Sequence, residues 1–335
     1  MTDSKQVNLD AAARLSVAPM MDWTDRHCRY FHRLMSQQAL LYTEMVTAPA
    51  VINGDRARLL DFDGAEHPVA LQLGGSIPAE LARATRIAND WGYDEVNLNV
   101  GCPSDRVQSG CFGAVLMKQP DLVAECVAAM QDASAVEVTV KCRIGVDEQD
   151  PAKALPQFLD AIVGAGVRRV TIHARMAWLQ GLSPKQNRDV PPLDYDLVHA
   201  MKRAHPQLHI SINGGIATLA EARKHLDAGL DGVMIGRAAY HTPAEVLLQA
   251  DQLIYGSDHP PRSAVDVAHR MLPYIEAHLS GGGRLNQITR HILGLFAGRP
   301  GARGWKRVLS EGAHLDGAGP ELIERALEEV TTRAA

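Results

Sequence analysis

Short runs of β-branched and other apolar residues recur along the first 255 residues, separated by longer segments of mixed polarity. Eight of these runs predict strands, at residues 15–18, 40–43, 69–73, 95–100, 137–142, 169–173, 209–213 and 232–235. Each intervening segment places apolar residues at helical spacing. Because strands that alternate with helices pair in parallel through right-handed crossovers, eight such units predict a closed (β/α)8 TIM barrel.

The pattern changes after residue 255, where the strand-like runs stop. Apolar residues then recur at helical spacing from Val265 to Val330, with glycine-rich breaks at residues 281–283 and 298–301. This predicts a small all-α C-terminal domain of three to five helices, joined through a linker at residues 256–262. We therefore expect a barrel domain at residues 1–255 and a helical domain at residues 256–335.

Composition narrows the class of protein. Hydrophobic residues make up 46% and charged residues 22% of the 335 residues, as in ordinary globular proteins. No apolar run is long enough to span a membrane, and the N-terminus does not resemble a signal peptide, so we expect a cytoplasmic protein. The five cysteines include no Cys-x-x-Cys pair, which predicts neither a disulfide framework nor a metal site. We expect Cys28, Cys126 and Cys142 in the core and assign no role to Cys111.

Charge is unevenly distributed on this acidic chain, whose net charge is −5. Residues 277–310 contain no acid but six basic residues, which are Arg284, Arg290, Arg299, Arg303, Lys306 and Arg307. A second acid-free stretch, residues 168–188, contains Arg168, Arg169, Arg175, Lys185 and Arg188. Two local basic surfaces predict a polyanion bound at a defined place.

In a TIM barrel the active site lies at the C-terminal ends of the strands. The last two strands are followed there by Gly214-Gly215 and by Gly236-Arg237. Glycines in these two loops commonly bind phosphate through backbone N–H groups, and Arg237 adds positive charge. We therefore predict a phosphate site at this edge of the barrel, the alternative being ordinary turn glycines.

Lys141 ends the fifth predicted strand, so its ammonium group can reach the same mouth. It can act as a Schiff-base lysine, as a cation beside a flavin ring, or as an ordinary surface lysine. A Schiff-base aldolase requires carboxylates that the strand ends do not supply. His173 and Gln72 supply hydrogen-bond donors suited to the edge of a flavin, which favours the flavin interpretation.

Cys102 lies in a Gly-Cys-Pro turn after the fourth strand. A thiol with its ordinary pKa of about 8.5 is mostly protonated at neutral pH and can act as a general acid. Asn97 and Asn99 share one face of that strand, and Asn99, nearer the mouth, can offer its amide to a planar heterocycle. The alternatives are a structural cysteine and polar residues that fill the barrel.

The loop after the sixth strand, residues 174–193, is long for a compact domain. It carries Arg175, Trp178, Lys185 and Arg188. Cations beside the mouth can bind phosphates of an extended substrate, whereas the alternative is a solvated charged loop.

These motifs together resemble the tRNA-dihydrouridine synthases. The resemblance rests on Ala18-Pro19-Met20, Gln72, the segment from Asn97 to Pro103, Lys141, His173, Asn213-Gly214-Gly215 and Gly236-Arg237, and it extends into the tail at residues 298–303. The loop at residues 181–188 resembles the A-type subfamily, which modifies uridines 20 and 20a of the D-loop.

The resemblance implies that NADPH reduces FMN at the barrel mouth, that hydride then passes to uracil C6, and that Cys102 protonates C5. It implies FMN contacts from Ala18, Pro19, Met20, Gln72, Lys141, His173, Asn213, Gly214, Gly215, Gly236 and Arg237. It implies tRNA contacts from Asn99, Arg175, Lys185, Arg188, Arg299 and Arg303. No Rossmann fingerprint is present, as expected if NADPH visits the flavin without a domain of its own.

Two other functions compete with this interpretation. The first is a flavin dehydrogenase acting on a free pyrimidine, which gives no reason for a basic helical tail. The second is a phosphate-binding barrel without redox chemistry, either a Schiff-base lyase or an RNA-binding scaffold.

Overall fold

The computed structural model describes residues 8–104 and 112–332, so Cys111 lies outside the described residues. Its eight parallel strands close into a barrel in sequence order. They are β1 (Leu15–Val17), β2 (Leu40–Thr47), β3 (Val69–Gly74), β4 (Glu95–Val100), β5 (Glu137–Arg143), β6 (Arg169–His173), β7 (His209–Asn213) and β8 (Gly232–Ile235). The predicted TIM barrel is confirmed, with β1 and β8 pairing to close it.

Helices surround the barrel and pack on its outer face. Those up to residue 253 are Leu9–Ala12, Arg26–Met35, Ala48–Asn53, Arg56–Leu60, Pro78–Asn89, Pro120–Ala133, Pro151–Gly164, Tyr195–Ala204, Leu219–Asp227, Arg237–His241, Pro243–Leu247 and Ala250–Leu253. Short 3-10 helices lie at Gly64–Glu66, Gly113–Lys118 and Gln186–Arg188. The Thr218 and Glu221 capping box starts one of the outer helices, as this residue pair favours.

The two halves of the barrel interior differ in polarity. On one side, Ala18, Leu40, Tyr42, Ala70 and Met234 belong to a small apolar cluster separate from the main core. On the other side, buried polar side chains of β3 to β5 hydrogen-bond to one another across the strands. The interior is therefore only partly filled by the apolar layers usual for this fold.

Five helices follow the barrel, at Ala264–Arg270, Leu272–Ser280, Leu285–Ile292, Ala302–Gly312 and Glu321–Thr331. Trp305 is fully buried among them, and its indole N–H donates to the carbonyl of Ile292 at 3.1 Å. Residues 256–263 form neither helix nor strand, where the linker was predicted. None of the described helices is long and apolar enough to cross a membrane.

The five helices contact the barrel mainly through the helix Arg26–Met35. Its N-cap residue Asp25 lies 3.0 Å from Nε2 of His291 and also accepts a hydrogen bond from Arg290. His27, on the same helix, lies 2.8 Å from the hydroxyl of Tyr274. Polar contacts thus supplement the apolar packing between the barrel and its C-terminal helices.

Candidate active site

The turn that carries Cys102 is held from two directions. The Asn99 side-chain oxygen accepts the backbone N–H groups of Gly101 and Cys102, at 3.0 and 2.9 Å. From β5, the Arg143 guanidinium donates to the Gly101 carbonyl at 2.9 Å. Arg143 also donates to the carbonyls of Met176 and Asn187, and so ties the turn to the loop after β6.

The Cys102 side chain differs from the other described cysteines in its surroundings. Cys28, Cys126 and Cys142 are buried, as predicted, whereas Cys102 is partly exposed. Its thiol lies 3.5 Å from the Ser104 hydroxyl, which accepts a hydrogen bond from it. Burial raises the pKa of Cys142 to about 12, so that thiol stays protonated and inert.

Lys141 lies at the end of β5 without an acidic partner among the described residues. Its ammonium donates to the side-chain oxygen of Asn213 at 3.2 Å, and the Asn213 amide donates to the Met234 carbonyl at 2.8 Å. Burial, with the nearby charge of Arg143, lowers the pKa of Lys141 to about 8. The lysine therefore carries a charge that the fold disfavours until an anion or a polarisable group lies beside it.

His173 ends β6 and lies next to the β7 loop. Burial, with the charges of Arg143 and Lys141, holds its pKa well below the ordinary value, so the ring is neutral. A neutral imidazole presents one donor and one acceptor. A Cβ atom at Gly214 would approach the ring to 2.7 Å, and Gly214 also has a positive φ of 117°, so only glycine fits there.

Arg237, predicted to bind phosphate, has an acidic neighbour that the sequence did not reveal. Its guanidinium lies 2.7 Å from the carboxylate of Asp189, on the loop after β6. The same loop binds Arg175, whose guanidinium donates to the carbonyls of Pro191 and Asp189. The Nε atom of Arg175 is buried and has no hydrogen-bond partner within residues 8–104 and 112–332.

The remaining predicted cofactor residues lie at the same end of the barrel. Gln72 is 1% exposed, and its amide donates to the Asn97 oxygen at 2.8 Å while accepting from Asn99 at 2.7 Å. Ala18 is buried, and the residues Pro19 and Met20 after it are partly exposed. All eleven positions predicted for FMN thus lie in the C-terminal half of a strand or in the loop that follows it.

The predicted tRNA residues lie in two places. Lys185 and Arg188 are exposed on the loop after β6, beside the mouth, and Arg299 and Arg303 are exposed on the C-terminal helical region. Two other basic residues of the stretch at residues 277–310 are engaged in ion pairs, Arg290 with Asp25 and Arg307 with Glu329. That basic surface is therefore smaller than the sequence predicts. No cluster of possible metal ligands is found in the described part of the chain.

The mouth fits the group that the resemblance implies. Among the residues that the structure describes, the Nε atom of Arg175 has no hydrogen-bond partner and the ammonium of Lys141 has no acidic partner. Gly214 and Gly215, both at positive φ, leave an approach to the backbone that a Cβ would obstruct. A flavin mononucleotide, which has one phosphate and a ring edge rich in acceptors, matches this donor set.

Fold and site together define a TIM-barrel enzyme with a cationic mouth and a cysteine fixed at its rim. The model of the family described as Dihydrouridine synthase (Dus) matches residues 16–332, so the chain belongs to this family of oxidoreductases. The family predicted from the motifs is thereby confirmed.

The relatives of this chain include proteins named tRNA-dihydrouridine(20/20a) synthase in several bacteria. The protein of Shewanella oneidensis is 58% identical over 99% of this chain and 97% of its own length. That of Xanthomonas campestris is 58% identical over 96% of this chain and 95% of its own length. That of Vibrio cholerae is 57% identical over 95% of this chain and 97% of its own length.

Proposed function

We propose that this protein is an FMN-dependent, NADPH-driven tRNA-dihydrouridine synthase that reduces the C5=C6 bond of D-loop uridines 20 and 20a. The observation that carries the proposal is the Cys102 turn, whose backbone is held by Asn99 and Arg143 and which presents a thiol beside the cationic mouth. The names of the relatives in Shewanella and Xanthomonas support the substrate and its positions.

The cofactor residues divide by the part of FMN they suit. The loops with Gly214, Gly215, Gly236 and Arg237 would hold the phosphate, with Arg175 nearby. The loop after β1 would also border the cofactor, through Ala18, Pro19 and Met20. This loop lies next to the end of β8, because β1 pairs with β8. Gln72, Lys141, His173 and Asn213 would face the ring. When bound, FMN supplies the hydride that uracil receives at C6.

The protein residues supply a proton and stabilise charge. As hydride arrives at C6, negative charge develops on C5 and the adjacent carbonyl, and Cys102 would donate its proton to C5. One N–H of the Asn99 amide donates to Gln72, and the other would bind a uracil carbonyl. The target base must leave its stack to reach the thiol.

The tRNA would be bound by shape and phosphates on both sides of the mouth. Lys185 and Arg188 would contact phosphates near the target nucleotide, and Arg299 and Arg303 would contact a more distant part of the tRNA. The division of labour we propose is a catalytic barrel at residues 1–255 and a tRNA-binding helical region at residues 256–335.

Replacing Cys102 with alanine tests the chemistry. We expect C102A to purify yellow, to retain FMN and to oxidise NADPH in a single turnover at the wild-type rate. Dihydrouridine formation on tRNA from a strain lacking the modification should fall by about 10²–10⁴-fold. Cys126→Ala is the matched control, because that thiol is buried in the core.

The outcomes discriminate among the competing functions. Full activity of C102A would remove Cys102 as the acid, and a colourless protein would contradict the flavin assignment. A free-pyrimidine dehydrogenase would instead reduce uracil or uridine in the absence of tRNA.

A further inference from the structure

We propose that a buried polar column through the barrel interior positions the Cys102 turn and fixes which way the amides of Gln72 and Asn99 face. The column starts at the carboxyl group of Glu95, which is paired with Arg169 at the N-terminal end of the barrel, and it ends on the backbone N–H of Cys102. Its catalytic consequence rests on the proposed function, whereas its geometry does not.

The lower end of the column is an ionic anchor. Glu95, the first residue of β4, is fully buried, and its carboxylate lies 2.8 Å from the guanidinium of Arg169. The same guanidinium lies 2.7 Å from the carboxylate of Glu137. Hydroxyl groups of Tyr42, at 2.7 Å, and Thr139 donate to one oxygen of Glu95. Because this carboxyl group faces a guanidinium, its oxygens serve as acceptors, and both hydroxyls donate to it.

The direction of every later hydrogen bond follows from that carboxylate. Because the Thr139 proton is given to Glu95, its oxygen must accept, and it accepts from the Asn97 NH₂ group at 2.7 Å. This turns the Asn97 oxygen towards Gln72, whose NH₂ group donates to it at 2.8 Å. The orientation of each side-chain amide is thus determined by the one below it.

The upper end of the column transmits this direction to the reactive turn. The Gln72 oxygen accepts from the Asn99 NH₂ group at 2.7 Å. The Asn99 oxygen is thereby left to accept the N–H groups of Gly101 and Cys102. If the amides were reversed, Asn99 would present its NH₂ group to two backbone donors, and the turn would lose both hydrogen bonds.

An apolar interior would be simpler to build, which indicates that the column has a purpose other than stability. Buried polar groups cost free energy unless each is satisfied, and buried ion pairs are weak evidence of stabilisation. A connected network does, however, select one arrangement among several. Here the selected arrangement directs the Asn99 NH₂ group towards Gln72 and the Asn99 oxygen towards the backbone N–H groups of the Cys102 turn.

The test replaces Thr139 with valine, which has the same shape but no hydroxyl. Amide hydrogen exchange is measured by mass spectrometry on the FMN-free protein. We expect T139V to increase exchange of the amides at Gly101 and Cys102 by roughly three- to tenfold, the effect of losing about one net hydrogen bond. Exchange elsewhere in the barrel should change less.

Two further variants keep the test specific. Thr139→Ser retains the hydroxyl and should restore wild-type exchange. Thr171→Val makes the same chemical change on the neighbouring strand and should have no effect, because the Thr171 side chain makes no hydrogen bond within the described residues. If T139V does not fold, Glu95→Gln, whose amide can both donate and accept, removes the directional constraint at its source.

The catalytic arm uses the FMN-loaded enzyme. T139V should lower kcat for tRNA reduction by roughly tenfold, with little change in KM for tRNA or in FMN reduction by NADPH, and T139S should recover it. Unchanged exchange at Gly101 and Cys102 in both T139V and E95Q would overturn the column. If T139V increases exchange at the turn but the wild-type enzyme makes no dihydrouridine, the column stands and the proposed function is contradicted.

Discussion

The fold disfavours the charge of Lys141, and replacing this lysine with methionine should stabilise the FMN-free protein. Its pKa is lowered to about 8 from an ordinary value of 10.5, chiefly by burial. That difference corresponds to about 3 kcal/mol by which the folded state disfavours the ammonium at pH 7. Because the side chain is only partly buried, about 3 kcal/mol is an upper bound for the gain in the free energy of unfolding.

The pH dependence of the Lys141→Met effect identifies its cause. Between pH 8 and 10.5 the unfolded chain keeps the proton that the folded protein has released, so wild-type stability rises with pH through this window. The advantage of K141M should therefore be largest below pH 8 and shrink by about 1.4 kcal/mol per pH unit above it. Comparing the two proteins at each pH cancels the titration of other groups.

The measurement is urea unfolding of FMN-free wild type and K141M from pH 6.5 to 9.5, at matched m-values. Lys153→Met, at a lysine whose side chain is 80% exposed, is the control and should show no pH-dependent gain. A K141M protein less stable than wild type at pH 7, or a difference constant with pH, would refute the reasoning. K141M should also lose dihydrouridine formation. A buried charge that lowers stability is expected at this position only if the activity depends on it.

Two more predictions concern the helical region. Burial raises the pKa of Asp25, but the hydrogen bond and charge of His291 outweigh burial and lower this pKa below its ordinary value. The ionised Asp25 therefore stabilises the fold above pH 4, and this stabilisation is lost as the pH falls below 4. Asp25→Asn should cost about 1–2 kcal/mol in thermal unfolding at pH 6, and less at pH 3. The double variant Arg299→Ala, Arg303→Ala should weaken tRNA binding and reduce its salt slope by about 2, with NADPH oxidation unchanged, whereas Arg86→Ala on the outer barrel surface should do neither. Unaltered tRNA binding by the double variant would place the RNA surface elsewhere.

The fold was predictable because each strand carries its own signal. All eight strands begin at the predicted residue, since each place has a short run with apolar residues, either continuous or in alternation with polar ones. The largest difference is β2, which continues to Thr47 beyond the predicted end at residue 43. Its polar Glu44 interrupts the apolar run, and the pairing with β3 shifts register between Tyr42 and Met45, so pattern alone does not reveal the continuation.

The candidate site was only partly predictable, because its missing parts depend on pairing between distant segments. Position after a strand is enough to bring Cys102 and Lys141 to one mouth. It does not show that Asp189 pairs with Arg237, or that Arg290 is engaged by Asp25, 265 residues away. Such ion pairs depend on how loops and helices dock, which local periodicity does not encode.

One signal in the sequence does point to the polar column. A parallel strand buried on both faces should read as a nearly continuous apolar run, yet β4 to β7 alternate polar and apolar residues. In β4 the polar positions are Glu95, Asn97 and Asn99, and in β5 Thr139 and Lys141 continue the same face. Alternation usually indicates a strand with one face in water, but in a closed barrel that face can only be the interior. In a parallel barrel whose strands alternate in this way, the interior polar side chains must hydrogen-bond to one another. The carboxylate of Glu95 determines which of them donate and which accept.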